Sequence, residues 1–412
     1  MFKYKALTVL AGVTAATPAF AEEVDIWVRT STAPILEAMA ESYNASHEDQ
    51  ISIVPVVAEQ MVPKLGAALA GGAAPSAVAM DLIYMPTFAA AGMLEDMTDF
   101  IDSLPYSDAL SPSHVRLATY EGKKYGVPLT PDASVIVYNT DLLDAAGVDP
   151  SALESLESLA EAAVSISELD DETYGFMFVG NSGSWMAYDF LPHIWAGGDD
   201  ILSEDGRSQT VDTPSMRATL QLYNDMWEAG AIHPTTRSGN GNSAVEAFAS
   251  GQVGILMSGS YIVNLMTANY PDVNFGIAPI PGPTGGTATF AGGDDVVMIE
   301  GISDEKRALV EDFIEYYMQP EQQVTITELA GMPSRTDLAE EAYADFDERN
   351  LIAYDMLQSG FTPYTYANDA LFISLTGPWL ELLETAIFDG DVDGAIEMAE
   401  GRFEQILERT NP

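Results

Sequence analysis

Asp132 stands between two runs that cannot be helical. In YGVPLTPDASVIVYNTDLL, residues 125–143, Pro128 and Pro131 fix their own backbone and press the residues before them into extended conformations. Ser134 to Tyr138 is rich in β-branched and aromatic side chains. Asn139 and Asp141 then read as a turn and a cap, opening the helical run Leu142, Leu143, Ala145, Ala146. A crossing strand is the simplest reading of the segment, and it would carry one carboxylate into the cleft between the lobes that it joins.

Other patterns resemble chemistry and have a plainer explanation. DGDVDGAIEMAE places Asp389, Asp391, Asp393, Gly394, Ile396 and Glu400 in the register of a calcium-binding EF-hand loop. The competing reading is a tight turn and a helix from about Asp393, its carboxylates at the positive helix end and Glu400 two turns away. Ser303 to Lys306 has the S-x-x-K spacing of an acylating serine, but reads as a helix cap followed by surface charge. Gly239, Gly241 and Ala244 give GxGxxA with no strand ahead of it, so no dinucleotide site is expected. His47, His114, His193 and His233 are far apart and form no H-E-x-x-H. We therefore expect no cofactor, with calcium at Asp389, Asp391, Asp393 and Glu400 as a weak candidate.

The elements that must position these residues follow a βαβαβα rhythm. Strands are expected over Val24–Arg29, Ile51–Val57 and Ala77–Ile83, with helices over Ile35–Tyr43, Val62–Ala70 and Pro86–Ala91. That alternation predicts an α/β fold with a parallel, doubly wound sheet, in which ligands lie beyond the carboxyl ends of the strands. Arg29, Thr30, Gln60, Asp81 and Tyr84 all fall at or just after such ends. Further on, Asn181–Ser184 is a small-residue loop, Trp185–Trp195 a helix, and Val253–Met257 a strand leading into Ser258-Gly259-Ser260-Tyr261. The Pro/Gly-rich PIPGPTGG and the run from Gly331 to Arg335 are second and third candidate crossings.

Length and composition bound the class. At 412 residues with 47% apolar content, the chain is expected to form two lobes. Lys3 and Lys5, the apolar run Ala6–Ala16 and Ala19-Phe20-Ala21 read as a signal peptide over residues 1–21, which places the protein in the periplasm. With no cysteine there is neither a disulfide framework nor a thiolate site. A formal charge of −47 makes nucleic acid an improbable partner, because phosphate binding needs a basic surface.

Several stretches, taken in order, resemble the extracellular solute-binding proteins of ABC importers, in the sugar-binding group of maltose-binding protein. They are ALAGGAAPSAVAMD, FAAAGMLEDM, the crossing strand above, AFASGQVGILMSGSY, FGIAPIPGP, FIEYYMQPEQQ and MPSRTD, which lie between residues 68 and 337 of a resemblance taken from about residue 24 to about residue 400. The resemblance implies two doubly wound α/β lobes joined by a hinge, the first from 22–130 plus 280–332 and the second from 131–279 plus 333–412. It implies a ligand site of polar groups and stacking rings: Asp81 and Tyr84, the hinge carboxylate Asp132, the Trp185 platform, Gly259 with Tyr261, Gly293 with Asp294, and Arg335. The family's Gly-Pro-Trp-like loop reads Gly-Ser-Tyr here. It further implies permease subunits as partners and a monomer that performs no chemistry.

A sugar has apolar ring faces edged with hydroxyls, which suits carboxylates and amides at the edge and aromatic rings on the face. Trp185 and Trp195 are the tryptophans assigned to the site, and Trp27 and Trp227 to the core. If Arg29 and Arg335 both face the ligand, an anionic sugar or glycerophosphate-like solute is the alternative; otherwise they form structural salt bridges. A secreted carbohydrate-active hydrolase and a binder of cations or polyamines are the rivals from other classes.

Overall fold

The structure, a computed structural model, describes residues 22–342 and 347–410. The expected signal segment lies outside the described residues. One eight-stranded sheet runs through the molecule. Its strands are β1 (Glu23–Arg29), β2 (Gln50–Val56), β3 (Ala77–Asp81), β4 (Gly126–Asn139), β5 (Tyr174–Met177), β6 (Val253–Gly259), β7 (Phe275–Ala278) and β8 (Ala291–Met298). Their order is β2-β1-β3-β8-β4-β6-β5, with β7 also paired to β4. The β1 strand is parallel to β2 and β3, as the alternating sequence pattern requires, and β5 is parallel to β6. Helices cover both sides, so residues of the inner strands are buried almost without interruption, while the edge strand β2 is largely part-exposed.

The long strand β4 is the axis of this arrangement. From Gly126 to Ala133 it pairs with β8, and from Ser134 to Asn139 with β6 and β7. Neither Pro128 nor Pro131 can donate to a ladder. The pairing with β8 slips by one residue beside Pro128, between Asp294 and Asp295, which absorbs the lost donor as a bulge. At the far end the Asn139 side chain accepts from the amides of Asp141 and Leu142, at 3.0 and 3.1 Å, and starts the helix Thr140–Ala146.

The hydrophobic cores divide where β4 changes partners. Val24 to Leu129 and Val296 to Ala330 supply the cores of one lobe. Ala133 to Ala291 and Met332 to Leu407 supply those of the other, into which Ile83 also reaches. The chain therefore passes between cores at residues 130–132, 292–295 and 331. The segment 280–290, assigned to the first lobe from sequence, packs with the second: Ile280 and Phe290 lie in its core, and the Ile280–Pro281 strand folds onto Thr287–Ala288. Its prolines and glycines make a hairpin there instead of a crossing. The apolar stretch Asp369–Phe388, long enough by composition to cross a membrane, is mostly buried in the second core and broken at Gly377.

Candidate functional site

Asp132 occupies the first of these crossings and is held from the second lobe. The Ser260 amide and hydroxyl donate to its Oδ1, at 3.0 and 2.5 Å, and the Tyr188 hydroxyl donates to Oδ2 at 2.7 Å. Ser260 comes from the turn after β6, and Tyr188 from the helix Gly183–Ala196. Gly259 makes the approach feasible: a Cβ there would stand 2.5 Å from Asp132 Oδ2 and 2.8 Å from the Tyr188 hydroxyl. Burial raises the Asp132 pKa above the ordinary carboxylate range, and the bonds from Ser260 and Tyr188 oppose that rise. Tyr188 is pushed well up by burial and then by Asp132, so its proton stays in the bond.

A second cluster closes the first-lobe side. Arg29, at the end of β1, donates through Nη1 to Asp81 Oδ2 at 2.7 Å and through Nη2 to Asp294 Oδ2 at 2.9 Å. Thr32 donates to the same Asp294 oxygen at 2.6 Å. Asp294 is wholly buried, whereas the Asp81 side chain keeps 26% of its surface exposed. Burial works against the charge on Arg29, but Asp294 and Asp81 more than offset it and hold its pKa above the usual range. Burial raises Asp81, opposed by Arg29, with further upward pressure from Asp294 and Asp132. Asp294 reaches this position because β8 bends at Gly293, whose φ of +118° belongs to glycine and whose Cβ would lie 1.9 Å from the Thr130 carbonyl.

The remaining sequence-derived residues divide. Tyr84 packs against core residues of both lobes. Trp185 is half-buried, edge-on to Tyr188 at 6.1 Å between ring centroids, and Tyr261 flanks Gly259. Burial pushes the Tyr261 hydroxyl up to about 12. Trp195 donates its indole N–H to Asp200 at 3.1 Å and leans on Phe290 and Phe361. Because Phe290 also meets Tyr188 at 5.3 Å, the rings from Trp185 to Phe361 form one row. Thr30 is exposed just after β1, and Gln60 is exposed in the first turn of the helix Ala58–Gly71, which follows β2.

Arg335 is a correction. Its guanidinium pairs with Asp337 two residues on, and meets the first lobe at the Met318 carbonyl, to which it donates at 2.9 Å, and at the Tyr106 ring, whose centre is 4.2 Å away. Its backbone bridges Leu110 of the first lobe. The calcium candidate falls on the turn and helix of the competing reading. The helix Val392–Thr410 runs through Asp393 and Glu400, so Glu400 cannot fold back over the turn. Asp391 caps the Gly394 amide at 2.9 Å and Asp393 pairs with Arg217 at 2.6 Å. Among the described residues no group of three or more His, Asp or Glu side chains converges in a metal-binding arrangement.

Tyr188, Ser260 and Thr32 were not singled out from sequence. Tyr188 lies three residues after Trp185, on the same helix face, and that spacing was the available signal. The neighbouring Asp189 is buried, and neither carboxylate oxygen has a hydrogen-bond partner among the described residues. Burial, with Asp132 nearby, raises its pKa well above the carboxylate range.

Residues 38–348 match the family model described as bacterial extracellular solute-binding protein. A binding protein of Brucella abortus (strain 2308) is 31% identical over 201 residues, which are 48% of this chain and 47% of that protein. The chain thus spans about half the length of the Brucella relatives it matches. A lactose-binding protein of Rhizobium radiobacter is 26% identical over 282 residues, 64% of this chain and 61% of the relative. Among solved structures, an ABC transporter solute-binding protein of Thermotoga lettingae, bound with α-D-tagatose, superposes with a TM-score of 0.82 at 20% identity. The superposition covers 94% of this chain and 100% of that one, and shows the fold: two α/β lobes of the type II periplasmic binding class.

Proposed function

Because the chain belongs to the bacterial extracellular solute-binding protein family, we propose that it captures a mono- or oligosaccharide, or a sugar conjugate, between its lobes and delivers it unaltered to an ABC permease. The observation that carries this reading is Asp132 at the lobe crossing, oriented by Ser260 and Tyr188, with Trp185 edge-on to the Tyr188 ring and Tyr261 beside Gly259. A carboxylate fixed beside aromatic rings offers acceptors to ring hydroxyls and flat faces to C–H groups. Contacts to both lobes would favour the closed state, and that population shift is the function, with no bond made or broken and no cofactor needed. The lactose named for the Rhizobium relative and the tagatose in the Thermotoga neighbour support a carbohydrate. In this reading the protein works as a monomer in the periplasm, exported through residues 1–21, and its mature form begins at Glu22.

A melting-shift screen over neutral sugars and sugar alcohols tests the proposal. A ligand at 100 times its Kd stabilises by about 2.7 kcal/mol. NMR of the ligand should show saturable binding with an unchanged sugar. Turnover of the sugar would replace capture with hydrolysis, and a panel in which nothing binds would remove the carbohydrate reading. Trp185→Ala should abolish the shift while leaving the unliganded melting point close to wild type.

A further inference from the structure

The chain has 16 Lys and Arg against 63 Asp and Glu, so where its few cations go is informative. Beside the lobe crossing, Arg29 is consumed by Asp81 and Asp294, and its Nε is buried. Arg335 is consumed by Asp337 and the Met318 carbonyl. Arg116 donates to the Gly360 carbonyl at 3.2 Å. Arg29 therefore pairs with Asp81 and Asp294, and among the described residues no ion pair reaches Asp132; against that one cation, a single proton on the three carboxylates would still leave the sum negative.

The hydrogen-bond polarity points the same way. The hydroxyls of Tyr188 and Ser260 already donate to Asp132, and that of Thr32 donates to Asp294. These three donors are spent on carboxylates, while Asp132 Oδ2 and both oxygens of the part-exposed Asp81 each accept a single bond and keep a lone pair for a further donor. A solute carboxylate or phosphate would bring acceptors and negative charge to acceptors and negative charge, whereas hydroxyls and ammonium groups bring protons.

We infer that this site selects solutes that donate hydrogen bonds and carry no anion, namely neutral polyols and sugars or their amino derivatives, and rejects uronates and sugar phosphates. The inference rests on the capture reading above and narrows its substrate class. It removes the glycerophosphate-like alternative, which required Arg29 and Arg335 to be available.

Calorimetry on the mature protein tests it with matched sets: glucose, glucosamine and glucuronate; galactose, galactosamine and galacturonate; lactose and lactobionate; and glycerol 3-phosphate. In any set that binds, the acid is expected to be roughly a hundredfold or more weaker than its neutral partner, and the amine equal or tighter. Asp132→Asn, which keeps an acceptor for Ser260, is expected to narrow the neutral-to-acid ratio by about tenfold. The wild-type ratios stand whether or not that variant folds. An acid or glycerol 3-phosphate that binds as tightly as the neutral compounds overturns the inference and leaves capture intact. Absence of binding throughout the sets overturns the capture reading, and the inference falls with it.

Discussion

Tyr188 and Asp132 differ in what their removal would cost. Tyr188→Phe deletes one donor to a carboxylate that retains two others from Ser260. Ligand affinity is expected to fall about tenfold by calorimetry, with little change in the unliganded melting point. Asp132→Ala leaves Ser260 and Tyr188 without their acceptor, and is expected to cost about 1–3 kcal/mol of stability in urea denaturation as well as binding. Buried titratable groups set opposing pH dependences. Burial holds His114 near about 3 and His193 near about 4, so both stay neutral when folded. Unfolded histidines take up protons below about pH 6.5, so this stability is complete above that pH and is lost on acidification towards the folded values. Each group contributes about 1.4 kcal/mol per pH unit across that window. Asp189 and Asp295 are raised by burial, and no oxygen of either has a hydrogen-bond partner among the described residues. Their contribution is complete below the unfolded carboxylate pKa, about 4, and falls as pH rises towards the folded values. Asp189→Asn should therefore raise the urea midpoint at pH 8 and leave it unchanged near pH 4.

At the scale of elements, β4 and β8 place the site together. Asp132 and Gly292 are direct partners across the ladder, and the bulge beside Pro128 lets Asp294 meet Thr32 and Arg29. Gly293→Ala would press a methyl group into the Thr130 carbonyl at a backbone angle that alanine rarely adopts. A loss of about 2–4 kcal/mol is expected in chemical denaturation, together with loss of sugar binding. A near-wild-type variant would show that the β8 bend is not rigid. The same scale explains why the EF-hand pattern misleads. Residue types in register satisfy the motif, but helix formation from Val392 is local and competes directly with wrapping an ion.

For the whole molecule, the two lobes are tied by more than the three crossings. Residues 360–368 reach over the first lobe: Arg116 donates to the Gly360 carbonyl, Thr87 to the Tyr366 carbonyl at 3.2 Å, and Asn368 to the Ile83 carbonyl at 2.6 Å. Tyr366 meets the Tyr120 ring at 6.1 Å. These contacts join the lobes without a ligand and so enter the balance between open and closed forms. X-ray scattering should report a smaller radius of gyration with a saturating sugar than without one. Asn368→Ala should widen the difference by favouring the open form in the absence of sugar. Identical profiles under both conditions would remove lobe closure as the mechanism.

The strand through Pro128, Pro131 and Asp132, the β1–β3 alternation and the Asn139 cap were legible in sequence, because each rests on steric and hydrogen-bonding rules that act within a few residues. The partners of Arg29 and Arg335, the role of Tyr188 and the lobe to which residues 280–290 belong were not. Arg29 and Asp294 are 265 positions apart along the chain, and only packing of β1 and β8 on either side of β3 brings them within one hydrogen bond. Whether a charged side chain faces a ligand or a neighbour is decided by such distant contacts, and no local pattern carries them.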